Sequence, residues 1–149
     1  MNTLSPQASL DAQIEALVNL IENLGVPIKA ALKKALTTVI VNLAGGANVA
    51  LDLTPLAQGA PEILFNLPIA ASTTTTLAIS NPPAAGVLAA FVLVVSSGVG
   101  SVVVWPSGIK WPQGTAPSLT GVAGKLDTFV IYTEDGGATY CGFVAGQNQ

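Results

Sequence analysis

Between Ala84 and Trp105 the chain carries no charged residue. A stretch of that length and apolarity either crosses a bilayer as one helix or is buried as strands. The residues decide for strands. Gly86, Gly98, Gly100 and the pair Ser96-Ser97 interrupt it, Val-rich runs flank the breaks, and only Trp105 offers an interfacial anchor. β-branched runs bounded by turn residues read as two buried strands, Val87 to Val95 and Val99 to Trp105, joined by a Ser-Ser-Gly turn. No membrane partner is expected.

Further strands are expected from Asn48 to Leu53, Ile63 to Leu67, Ser72 to Ile79, Thr128 to Thr133 and Thr139 to Val144. In the first, Val49, Leu51 and Leu53 alternate in side with Ala50 and Asp52. Pro55 and the run Gln58 to Pro61 form a loop, and Asn81-Pro82-Pro83 ends a strand. Glu134-Asp135-Gly136-Gly137 is a hairpin turn. Short strands at this spacing predict a small antiparallel sandwich or barrel.

The N-terminal third has a different period. Leu10, Ile14, Leu17, Ile21, Leu24 and Ile28 follow steps of 4, 3, 4, 3 and 4, a heptad seam. Ser9 suits an N-cap, with Asp11 in the first turn. Gly25, Val26 and Pro27 predict a break, and Pro27 then opens a second helix from Ile28 to about Val41. Gly45-Gly46 ends it. The helices can pack as a hairpin on the chain's own sheet or self-associate as a stalk. With Leu10 at d, Ile occupies a and Leu d, a dimer preference in parallel coils.

The fold expected is therefore mainly β with an N-terminal helical segment: an antiparallel, jelly-roll-like β-sandwich preceded by one or two short helices. Residues 1–45 form the helical anchor and 46–149 the sandwich. A chain of 149 residues holds one such core.

Charge is scarce: 9% of residues against 50% hydrophobic, with no His and a net charge of −3. So little charge implies a surface largely covered by partners. The basic residues are five Lys with no Arg, which leaves nothing for a phosphate backbone, so no nucleic-acid partner is expected. After Met1 come polar residues and no apolar run, so no secretory signal is expected and synthesis in a cytoplasm is.

Catalytic chemistry has little to work with. Without His, Ser-His-Asp and Cys-His arrangements cannot form, and one Cys with no His makes no zinc site. The eight acids are scattered, and the adjacent pair Glu134-Asp135 sits on a turn. No catalytic, cofactor-binding or metal residues are expected, and no enzyme. Asp127 and Asp135 are expected to hydrogen-bond turn backbone.

Two stretches carry a resemblance. One is Trp105-Pro106 followed by Ile109-Lys110-Trp111-Pro112-Gln113-Gly114-Thr115-Ala116-Pro117-Ser118-Leu119-Thr120. The other is Lys125-Leu126-Asp127, Tyr132 to Tyr140 with Glu134-Asp135-Gly136-Gly137, and Gly142. With Thr75-Thr76-Leu77 and Ser80-Asn81-Pro82, residues 70–146 resemble a C-terminal β domain of tailed-bacteriophage fibre and virion-appendage proteins. Gln113 departs from that pattern, which has Gly there, and Tyr140-Cys141 stands where an aromatic pair is usual. Cys141 is thus expected to fill a packed position.

The resemblance implies a virion protein, made in the host cytoplasm, that forms a homotrimer. Three roles remain open. One is a short tail fibre or appendage that self-associates through the seam residues Leu10, Ile14, Leu17, Ile21, Leu24 and Ile28 and binds other tail proteins. Another is a capsid decoration or cement protein lying on the major capsid protein. The third is a carbohydrate-binding module using Trp105 and Trp111 on a host-surface glycan. The competing role for the two Trp is to staple the loop Pro106 to Pro117 onto the sandwich.

Overall fold

A computed structural model describes residues 6–149 and divides into two compact units, which meet in the chain at Leu36 and Thr37. The first unit is one helix, α1, over Pro6–Ala35. Two expectations are corrected. The helix already runs at Pro6, the first described residue, so Ser9 lies inside it rather than at its cap. The helix also continues through Pro27 where a break was expected. A single proline removes one backbone hydrogen bond and leaves those on either side in place.

The second unit contains the strands β1 (Val39–Asn42), β2 (Asn48–Asp52), β3 (Ile63–Ile69), β4 (Thr74–Ser80), β5 (Ala89–Ser97), β6 (Val102–Val104), β7 (Ile109–Lys110), β8 (Leu126–Thr133) and β9 (Tyr140–Gly146). A single helical turn, α2 (Thr54–Ala57), follows β2, and a 3-10 turn spans Pro112–Gly114. Val39–Asn42 was read as the end of a second helix. It is a strand because its alternate residues Val39 and Val41 pack toward the core while Ile40 and Asn42 face outward.

The protein is mainly β with one N-terminal helix, as expected, but the pairing is not that of an antiparallel jelly roll. Six strands form one sheet in the order β1-β3-β5-β8-β9-β7, and three form another in the order β2-β4-β6. All pairs among β1, β3 and β5, and among β2, β4 and β6, are parallel. The chain crosses from one sheet to the other at each step, so β1 to β6 wind as three turns of a two-sided coil, a β-solenoid winding. Only β8 breaks the pattern: it runs antiparallel to β5 and β9.

The corners of the coil need small residues. A Cβ on Gly98 would sit 2.5 Å from the Ala71 nitrogen of the turn below, so the stacked corners approach backbone to backbone. Where a polar group is buried, it is matched. Thr75 is fully buried, and its hydroxyl donates to the Gly46 carbonyl at 2.8 Å. The Asn66 amide donates to Asn42 on the turn before at 2.9 Å, a short amide ladder on the outer side.

Between the sheets lies one core. Phe65, Phe91 and Phe129 are its largest fully buried side chains, with Leu51 and Leu77 reaching in from the smaller sheet. Phe65 and Phe91 meet edge to face at 5.7 Å. Each such ring contributes about 1.5–3 kcal/mol through burial alone.

Candidate functional surfaces

Leu10, Ile14, Leu17, Ile21, Leu24 and Ile28 all lie on α1, and each is between 50% and 63% exposed. The heptad step aligns them along one side of the helix. Glu15, Glu22 and Lys29 each follow an Ile of this seam by one residue, at the b position of the heptad. Charge is therefore set beside the seam and not in it, which leaves an apolar stripe that can be desolvated without burying an ion. Val18, Leu20 and Leu32 widen the apolar surface.

Trp105 and Trp111 are brought together, but inside. Their rings meet edge to face at 4.9 Å, and each meets Phe129, at 4.8 Å and 6.2 Å. Trp111 is 8% exposed, and Trp105 packs against the core with its indole N–H donating to the Pro117 carbonyl at 2.8 Å. The pair acts as a staple: it holds the loop 106–117 against Phe129 of β8. Gly142 makes the room, because a Cβ there would lie 2.6 Å from the Trp111 ring. Trp111 is thus almost wholly covered, while Trp105 keeps part of its surface in a groove with Val103, Pro117 and Leu119.

The other residues that carried the resemblance meet in the same manner. A Cβ on Gly137 would lie 2.7 Å from the Pro82 side chain, so the turn 135–137 fits under the Asn81-Pro82 corner. Asn81 in turn donates to Asp52 at 2.9 Å.

The carboxylates hold loops. Asp135 accepts from the Thr139 hydroxyl, from the Thr139 N–H at 2.9 Å and from the Thr133 hydroxyl at 2.9 Å. Those donors, Thr139 foremost, hold its carboxyl down to about 2. Asp52 is lowered too, chiefly by the Thr54 hydroxyl at 2.7 Å and then by Asn81. Asp127, 1% exposed, accepts from the Thr120 N–H at 2.7 Å, the Thr120 hydroxyl and the Asn148 N–H. Both turn acids therefore bond as the sequence suggested.

Among the described residues no cluster of His, Cys, Asp and Glu is spaced to hold a metal ion, and no helix is long and apolar enough to cross a membrane. A groove of about 600 Å³ runs along the coil corners past Gly45, Pro68, Ser97, Gly98 and Gly124, and no ionisable side chain lines it.

One surface escaped the sequence reading: the outward side of the six-stranded sheet. Its signal was present in β3 and β5, whose outward positions Leu64, Val92 and Val94 are apolar like the inward ones. Comparisons with family models, curated proteins and solved structures find no match to this chain.

Proposed function

We propose that this chain is a non-catalytic bacteriophage virion structural protein, a short tail-fibre or tail-appendage module that works by self-association and surface binding. The observation that carries the reading is the exposed heptad seam of α1, Leu10 to Ile28, with its charges set at b positions. A stripe of this kind is stable in water only when another helix covers it. The resemblance of residues 70–146 to an appendage domain supplies the virion context, and with it the expectation of a homotrimer.

The test is the solution mass of the full chain by light scattering, beside the variant Ile14→Glu/Ile21→Glu. A trimer that dissociates in the variant supports the stalk. A wild-type monomer at every concentration sinks it.

A second reading is a capsid decoration protein. It is favoured by the exposed valines Val99, Val102 and Val104 at the free edge of the smaller sheet, an apolar strip suited to lie on a shell. Co-sedimentation with tail-less heads, against co-sedimentation with isolated tails, separates the two. The glycan reading has less aromatic surface to draw on, since Trp111 is buried and Trp105 packs partly buried against the core.

A further inference from the structure

One row on the outward side of the six-stranded sheet is apolar from strand to strand, beside a polar row of Asn42, Asn66 and Thr128. The registers align Ile40 with Leu64, Leu64 with Val92, Val92 with Val130 and Val130 with Phe143. This row crosses five strands on the side away from the core, whose residues are Phe65, Phe91, Phe129 and their neighbours. Ile40 is 63% and Phe143 46% exposed at its two ends. The row beside it pairs Ala90 with Tyr132 and Tyr132 with Cys141, and the Tyr132 ring stacks on Phe143 at 6.1 Å. The central row itself carries no charge; Glu62, which accepts from the Thr38 hydroxyl at 2.8 Å, and Lys110 stand at the two ends of the row beside it.

A sheet that needs only one covered face alternates apolar with polar residues. Here one row of the outer side stays apolar across five strands, from Ile40 to Phe143, and that row gains by losing contact with water. We propose that the outward face of the six-stranded sheet is a second self-association surface, whose occupant is another copy of this chain. The proposal rests on the self-association reading and deepens it.

Three observations favour a second copy over other occupants. The central row carries no charge, so two copies meet along it without burying an ion. It offers nothing to pair with a phosphate or an acidic partner. The apolar row also begins on β1 at Ile40, a few residues along the chain from the seam helix that ends at Ala35. Helices joined through the seam therefore tether their β units at high local concentration. Size fits this role. Five strands by three outward positions cover on the order of 500 Å², below the ~800 Å² per partner of a free-standing interface. Such a face is weak alone and effective once tethered.

Cys141, the chain's one cysteine, lies on this face and reports its cover. The experiment compares four full-length proteins: wild type; the seam variant Ile14→Glu/Ile21→Glu; Ile40→Glu; and Ile40→Glu/Leu64→Glu. Each is followed by light scattering over concentration and by the rate at which a maleimide labels Cys141, with near-UV circular dichroism as a check of fold. Ile40 is exposed, so its substitution alone spares the fold. Both face positions lie three or more strands from Cys141, roughly 14 Å or further, so they reach the thiol only through a shared partner.

The expected result is an assembly whose thiol is slow in the wild type and about tenfold faster in both face variants, with the dissociation concentration raised about tenfold. Equal labelling and equal assembly in wild type and face variants overturns the proposal, and so does a monomeric wild type. A seam variant that stays assembled with its thiol protected removes the stalk reading while the face stands. A seam variant that dissociates while the face variants match the wild type does the reverse.

Discussion

Gln113 holds φ at 59° in an exposed turn, a left-handed conformation that suits glycine. The appendage-like pattern has glycine there, so its departure at Gln113 leaves a residue under strain. Gln113→Gly is expected to raise stability by roughly 1 kcal/mol, read as a higher urea midpoint. The opposite sign is expected at Gly98, where the need is space and not φ. Gly98→Ala pushes a methyl into the Ala71 backbone and is expected to cost about 1–3 kcal/mol, read as a lower melting temperature. Asp135 sets an acid limit. Its folded-state carboxyl, held at about 2, lies below its unfolded value near ~3.9. The stability it adds is thus fully present above pH ~4 and is lost as pH falls through about 2. Asp52, lowered in the same direction, adds to this slope. In urea titrations at pH 5 and pH 2.5, Asp135→Asn should lose less between the two than the wild type does. None of this strain and spacing was legible beforehand except the turn role of the acids, because φ and close approach are set by the stacking of distant turns.

At the scale of elements, strand positions were legible and their partners were not. Ile63 to Leu67 and Thr128 to Thr133 stand within β3 and β8. The Ala84 to Trp105 stretch divides into β5 and β6. Local chemistry explains this: β-branched runs and Pro or Gly breaks act within a few residues. The helix was read too short and then too long, since Pro27 is absorbed and Val39–Asn42 joins a sheet. Tertiary pairing with β3 decided that strand, and no local signal competes with it. The Trp pair illustrates a similar limit: proximity to prolines fits a surface platform and a core staple equally, and only the contact with Phe129 distinguishes them. If the staple holds, Gly142→Ala should displace the Trp111 ring. The expected outcome is a loss of about 1–3 kcal/mol with an altered tryptophan emission spectrum.

The second unit is wound as a coil whose turns do not resemble one another enough to betray the winding. From β1 to β3 the register advances 24 residues, with Val39 beside Ile63; from β3 to β5 it advances 28, with Ile63 beside Phe91. Unequal turns hide a period, yet one trace survives: Pro55, Pro82 and Pro106 each follow a strand of the smaller sheet. Because each turn touches mainly its neighbours, a duplicated turn is tolerable in principle. A chain with residues 63–90 repeated should fold with an increased β signal in circular dichroism and a melting temperature no lower than the parent's. The reversal at β8 has a consequence in time. Every parallel pair of the coil joins residues a full turn apart, whereas β8 and β9 meet across a short hairpin. Pairing of near neighbours closes small loops quickly, and winding of distant strands is slow. The hairpin is thus the natural template, and it leaves the ribosome after the strands it must gather. Until then β3 and β5 wait with both faces bare, so a newborn chain is most prone to aggregate in the interval before its last strands arrive.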